Sequence, residues 1–485
     1  MTSIASPGLG SGLDVNGIVD KLVAIEQRPV ALLTKQKSVL QAKLSSFGLL
    51  KSYTTNVQDA VARLADPKLW QQTSALTTDP SAVSPSSTAT AVAGTYSVEV
   101  QQLAQAQSLA SGVYASSASS VGTGTLKIEI GGYGGGTTFT PQTPPKTVDI
   151  VIGAGEDSLE SVRAKINAAN AGVTASIVKD ASGARLAIRS TATGVDNAIR
   201  ITATADTALP VLPSDPPSLA SLGYDPGTPA ASKLTQTVAA RNALATINGL
   251  AVSSASNTFT DAIEGVSLNL GKVTTSPVQI QVGPSNDAFK KAINDFVKSY
   301  NDINTYLAAQ TKYDPDTKTA GTLQGDGATL SLKSQLRSAI TFPSSASSVF
   351  QTLSDLGIQL QTGGSLSVND SKLTAALGNL SEVSKAFSNP GSGASGDPTA
   401  GLAVRLQTLT KALIQTDGAV TTRTAAIQAS IKRNDDDVAK YQSRIEATKA
   451  RLLAQYGGLD TKISQLNSLN TYINQQFFAT NNKNN

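Results

Sequence analysis

The chain contains no histidine and no cysteine, and a single methionine and a single tryptophan among its 485 residues. Without histidine it lacks the side chain that ordinarily titrates near neutral pH. Without cysteine it has neither disulfide nor thiol nucleophile, and the two absences together remove the usual ligands of zinc, copper and haem. Aromatic residues reach only 5%, too few for a platform that stacks bases or sugars. Charged residues reach 15%, and the net charge of +4 is spread thinly, so no clustered basic footprint for nucleic acid is present. No apolar run attains the roughly 18 residues that a membrane-spanning helix requires. No basic segment followed by an apolar core opens the chain, so a Sec-type signal is not expected and export would take another route. Any enzyme would have to work with carboxylates, lysine, serine, threonine or tyrosine alone. No catalytic residue, metal ligand or cofactor is therefore expected.

What the chain does carry is a helix–β–helix plan. Apolar residues recur at Val15, Ile18, Leu22 and Ile25, then at Leu33, Leu40, Leu44 and Phe47, in steps of three, four or seven. Asp14 is placed to cap this run, and Pro29 is predicted to end or kink it near Arg28. A second series runs through Val438, Tyr441, Ile445, Thr448 and Leu452, and resumes after Tyr456 as Leu459, Ile463, Leu466, Asn470, Ile473 and Phe477. The flanking positions are mostly polar, which favours a narrow coiled-coil seam over an ordinary amphipathic helix lying on a globular core. The series slips by one residue at Gly457 and Gly458, where a helix bends or breaks at least cost.

Between the ends the period changes to two. Tyr96, Val98 and Val100, then Leu126, Ile128 and Ile130, and Val148, Ile150 and Ile152 alternate with outward residues. So do Val266, Leu268 and Leu270, and Val278, Ile280 and Val282, while Asn248-Gly249 is a two-residue hairpin signal. One short helix interrupts the strands, with Leu159, Val162, Ile166 and Ala169 as its stripe, Asp157 and Glu160 as a capping box and Gly172 as its stop. The proline-rich stretches Pro141–Pro145 and Pro210–Pro229 read as loops or junctions. Helical spacing returns at Phe289, Ile293, Phe296, Tyr300, Ile303 and Leu307, with Ser285 or Asn286 as cap, and at Leu402, Leu406, Leu409 and Leu413.

Three local patterns suggest chemistry and fail. Gly8, Gly10 and Gly12 lack a feeding strand, and Leu13 stands where a dinucleotide fingerprint needs glycine. In "DPDTKTAG", Lys318 occupies a position where a calcium loop needs oxygen, which leaves a solvated turn. The cluster Asp435-Asp436-Asp437 reads as a solvated helix face, with Asp436 spaced to pair with Lys440.

"GLGSGLDVNGIVDKLVAIEQRPVALL", "AINDFVKSYNDINTYL", "LSDLGIQLQTGGSLSVND" and "YQSRIEATKARLLAQYGGLDTKISQLNSLNTYINQQF" resemble the bacterial flagellar filament cap family, hook-associated protein 2. Residues 148–188 also look like the small motif shared by flagellin and hook-type axial proteins. The resemblance implies a multidomain α+β fold. Both chain ends form a terminal helical coiled coil and a helical stalk domain, and mainly-β domains are inserted in the middle. On that scheme the leg is 1–42 with 440–485, and the stalk is 43–78 with 285–439. A β domain spans 79–106 with 237–284, and an inserted β-rich domain spans 107–236. It implies a ring of about five copies at the filament tip. The implied partners are flagellin, the hook–filament junction proteins and a flagellar export chaperone, with delivery by type III export to the cell exterior. The expected assembly seam is Ile18, Leu22, Leu33, Leu40, Leu44, Leu452, Leu459, Ile463, Leu466 and Ile473, with Pro29, Gly457 and Gly458 as hinges. The alternative is a secreted adhesin whose β plate binds host or surface glycans.

Overall fold

The computed structural model describes residues 14–206, 218–394 and 396–481, with side chains to residue 476 at the C-terminal end. Gly8, Gly10, Gly12 and Pro210 lie outside the described residues, as does the side chain of Phe477. The chain divides into two compact units. One is built from residues up to Trp70 and from Asp287 onward, and the other from Gln71–Asn286.

In chain order the helices are α1 (Val15–Glu26), α2 (Arg28–Ala65), α3 (Leu159–Ala168), α4 (Asn286–Thr311) and α5 (Gly327–Thr341). Then come α6 (Asp370–Leu377), α7 (Leu380–Ser388), α8 (Leu402–Ile414) and α9 (Ala419–Asn481). The break between α1 and α2 falls at Gln27, and Pro29 sits in the first turn of α2, where its missing N–H costs nothing. All of these except α3 belong to the first unit.

The core of that unit forms where α2, α4, α5, α7 and α8 turn their apolar faces together. Trp70 lies at its centre, stacked on Phe387 at 5.3 Å and tilted against Phe289 at 5.5 Å. Its indole N–H donates to the Leu64 carbonyl at 3.0 Å, so the only polar atom of the ring is satisfied. Asp326 caps α5 by accepting from the Thr329 amide at 3.1 Å, and Arg423 of α9 donates to it at 2.8 Å. Burial alone would raise the Asp326 carboxyl, but the Thr329 amide and the Arg423 guanidinium hold it below its usual range. These contacts fasten the start of α9 to the core.

Glu382 adds a pH dependence. Lys385, the Ser347 hydroxyl and the Ser348 amide donate to it at 2.7, 2.7 and 3.1 Å, and its pKa falls from 4.5 to about 2. A depressed carboxyl stabilises fully above its unfolded value, so this contribution fades as pH drops from about 4.5 to about 2. An E382Q variant should therefore be less stable at neutral pH and decline less steeply across that window, followed by Trp70 fluorescence. An acid limb as steep as that of the parent would contradict this.

The second unit is antiparallel β structure. Its strands are β1 (Thr73–Thr77), β2 (Val83–Ser87), β3 (Gly94–Gln102), β4 (Ser108–Ala110), β5 (Gly124–Gly134) and β6 (Thr138–Ile152). They continue as β7 (Val173–Asp180), β8 (Gly183–Ser190), β9 (Ala198–Ala205), β10 (Thr235–Val238) and β11 (Ala243–Ile247). The last are β12 (Leu250–Ser254), β13 (Thr258–Ile263), β14 (Val266–Leu270) and β15 (Val278–Pro284). A five-stranded sheet, β1-β15-β3-β11-β12, and a three-stranded sheet, β13-β14-β2, enclose one core around Val98, Leu268 and Ile280. The sheets β6-β5-β9 and β10-β4-β8-β7, with α3, enclose another around Ile128, Val162 and Leu186. Asn248 and Gly249 both take positive φ, 50° and 81°, as the two-residue turn between β11 and β12 requires.

Several details differ from the sequence expectation. Ser158, not Asp157, caps α3 by accepting from the Ser161 amide at 3.1 Å, and the Asp157 carboxylate instead accepts from the Ser120 hydroxyl. Pro141, Pro144 and Pro145 lie inside β6, which tolerates them because it is the edge of its sheet. β1 pairs with β15, so residues 73–77 belong to a sheet and not to the helical segment 43–78. Lys440 pairs with Asp437 at 3.3 Å rather than with Asp436. The stretch around Asp314, by contrast, is the solvated turn expected: a short hairpin whose Asp314 carboxylate accepts from the amides of Asp316 and Thr317.

Candidate assembly surface

The two ends of the chain meet along α1, α2 and α9. Asp14 accepts from the Gly17 amide at 2.8 Å and so starts α1. Val15, Val19 and Val23, each four residues on, then line one face and bury against Ile445, Leu452, Leu453 and Tyr456 of α9, with Val30 beside them. The ion pair Lys449–Asp20, at 3.0 Å, crosses the same helices, and Lys37–Asp435, at 2.7 Å, joins α2 to α9.

Within the single chain, the face of α1 packed on α9 is built from Val15, Val19 and Val23, and the residues expected in the assembly seam lie beside it. Leu22 is exposed and Ile18 half-buried, while Val19 and Val23 take the buried positions. Leu33 is half-buried. Leu40 and Leu44 are half-buried as well and pack on the main helical core. Leu452 packs in the small valine cluster. Among the described residues beyond Tyr456 none belongs to that cluster: Ile463 is half-buried, and Leu459, Leu466 and Ile473 are exposed. Pro29 is half-buried at the start of α2. Gly457 and Gly458 sit within an unbroken α9, and a Cβ on either would meet no heavy atom within 4 Å.

Two outward stripes result. Ile25, Leu32 and Val39 lie seven residues apart, and so do Leu459, Leu466 and Ile473; all six are between 43% and 69% exposed. Leu32 and Val39 escaped the sequence reading because it followed a single stripe on a helix that carries apolar residues on two. A groove of about 740 Å³ opens beside the helix pair, lined by Gln27, Val30, Ala31, Thr34, Gln442, Ile445 and Glu446. Heptad-spaced exposed aliphatic side chains are chemically suited to burial against further helices. In the second unit, a groove of about 630 Å³ runs along Gly131–Gly134, Gln142 and Asp196. Among the described residues no group of three or more histidine, cysteine, aspartate or glutamate side chains is placed to hold a metal. No helix among them is long and apolar enough to cross a membrane.

Three family models match the chain. Residues 11–107 match the flagellar hook-associated protein 2 N-terminus, residues 240–468 match its C-terminus, and residues 127–192 match the flagellin hook IN motif. The flagellar hook-associated protein 2 of Escherichia coli K12 is 32% identical over 98% of both chains. The A-type flagellar hook-associated protein 2 of Pseudomonas aeruginosa is 31% identical over 95% of this chain and 94% of its own. Among solved structures, the D1-D2-D3 domains of the flagellar cap protein FliD from Escherichia coli match with a TM-score of 0.59 at 30% identity. That match covers 79% of this chain and 99% of the other.

Proposed function

We propose, since this chain belongs to the flagellar hook-associated protein 2 family, that it caps the distal tip of the bacterial flagellar filament and drives its elongation. It leaves the cell through the flagellar type III export channel, assisted by an export chaperone, and works outside. There it helps emerging flagellin subunits fold and insert, and it prevents their loss. The observation that carries this reading is the pair of uncovered heptad stripes on helices drawn from both ends of the chain. Copies form a ring of about five, a closed symmetry that buries equivalent surfaces on every subunit. The domain scheme that fits has a coiled-coil leg (1–42 with 440–485) and a helical stalk (43–78 with 285–439), the β1 segment excepted. It adds two β domains, 79–106 with 237–284 and 107–236.

A cap must hold a filament end that changes with every added subunit. Its leg has to bind flagellin, or at the outset the hook–filament junction proteins, yet release without a large barrier. Pro29 and the Gly457–Gly458 pair supply compliance in this scheme. Glycine is about 1 kcal/mol less helix-favouring than alanine, and a methyl group at either position meets open space. The double variant G457A/G458A is therefore expected to fold with a stiffer α9 and to shorten filaments; normal filament length and motility would remove these glycines from the mechanism.

A second reading, a tip adhesin for host or surface glycans, draws on the groove along Gly131–Gly134, whose lining includes Gln142 and Asp196. A deletion strain separates the two. Capping requires lost filaments with flagellin released into the medium, whereas intact filaments with poor attachment would overturn it in favour of adhesion.

A further inference from the structure

Asn434 is buried to 5% exposure, and its Oδ1 accepts no hydrogen bond among the described residues. It continues the inward series Ile427, Ile431 of α9, so an amide oxygen stands where a packed helix pair would carry an aliphatic group. The apolar packing on either side of it is discontinuous. Ile427 and Ile431 join Leu40 and Leu44 in the main helical core. Ile445, Leu452 and Tyr456 join Val15, Val19, Val23 and Val30 in the separate valine cluster. Residues 31–39 of α2 and 432–444 of α9 contribute to neither cluster. What spans this gap is the ion pair Lys37–Asp435, with side chains 34% and 46% exposed, a pair of the kind worth about 0–1 kcal/mol.

A buried asparagine in a helical seam lowers stability while restricting register. A buried acceptor with no donor costs free energy that the local structure recovers by opening to water. We propose that the polar interruption at Asn434 is an uncoupling point. The distal helix pair, residues 15–36 against 438–456, opens and recloses as one unit while the core around Trp70 stays folded. Opening exposes the valine seam and the adjoining groove to another helix without unfolding the domain that anchors α9. The inference rests on packing alone and adds to the proposed cap role a site of compliance distinct from Pro29 and the two glycines.

Native-state hydrogen exchange of the full chain, read by mass spectrometry, tests it. Amides in 438–456 and in 15–34 are expected to exchange at one common rate, about a hundredfold or more faster than those in 419–431 and 50–64. The N434L variant, which replaces the orphan amide by an aliphatic group, should slow the distal block about tenfold or more and leave the core block unchanged. Trp70 fluorescence establishes that the core of the variant is folded. A single exchange rate across 419–456 in the parent chain would overturn the proposal, as would a folded N434L with unchanged distal exchange. If N434L does not fold, the parent pattern decides alone. None of these results bears on the deletion strain, so failure here and failure of the cap reading are distinguishable.

Discussion

A chain carrying Leu459→Ser, Leu466→Ser and Ile473→Ser should fold and leave the cell yet fail to support filaments of normal length. Its folding is spared because the three side chains are exposed and belong to neither apolar cluster of the helical unit. Substitutions at such positions ordinarily change stability by no more than about 0.5 kcal/mol. Assembly is not spared. Each leucine or isoleucine fully buried against another helix contributes about 1.5–3 kcal/mol, so full burial of all three represents about 4.5–9 kcal/mol of contact. Association also has to offset the ordering of the helices, so a loss of that size takes most of the available surplus. The measurement is filament length by microscopy, beside the flagellin recovered from the medium and a urea titration of the purified variant. Short or absent filaments with an unchanged titration are expected. Filaments of parental length would mean that this stripe does not meet the assembly, and the reading that rests on it would fall. The equivalent triple on the other stripe, Ile25→Ser, Leu32→Ser and Val39→Ser, asks whether both ends of the chain are engaged.

How far the sequence reveals such surfaces depends on how many stripes a segment carries. In β14 the pattern is unambiguous: Val266, Leu268 and Leu270 are buried while Asn269 faces out, because a strand with one buried face admits only one alternation. In α1 it is not. Val15, Ile18, Val19, Leu22, Val23 and Ile25 supply two overlapping stripes, and three- and four-residue steps both lie on one helical face. Only the position of α9 selects Val19 and Val23 and leaves Leu22 and Ile25 outside. The Asn434 interruption was hidden for a related reason, since a series begun at Val438 never asks what precedes it. The helices α6 and α7 went unread because eight or nine residues hold barely two turns of periodicity. Ser158 outcompetes Asp157 as a cap because the chain turns helical one residue later than the acidic pattern indicates, which no spacing rule resolves. The identity of the family, by contrast, is legible from both ends, where α1, α2 and α9 reside.

The largest expected loss of stability lies at Phe387. Its ring is 1% exposed and stacks on Trp70 at an interplanar angle of 9°, with Phe289 on the same indole. Phe387→Ala removes that ring and leaves a cavity that the surrounding helices cannot close, because Leu64, Phe289 and Val383 are themselves fixed in the same core. Such truncations cost about 3–5 kcal/mol. Domains are stable by about 5–15 kcal/mol, so the helical unit would lose a large part of its margin. Trp70 is the only tryptophan, and the second unit has none, so its fluorescence isolates this effect from the sheets. At a typical slope of about 1–3 kcal/mol per molar urea, the midpoint followed at Trp70 should fall by about 1 M or more. Phe387→Leu keeps most of the volume and should lose less than half as much. Equal, small shifts for both variants would mean that the indole is held by its hydrogen bond to Leu64 and by Phe289 rather than by the stack. A large shift for alanine alone would place the anchor of the whole helical unit at this pair. The start of α9 is tied to that same unit through Arg423 and Asp326, so the variant should also weaken the platform from which the assembly helices project.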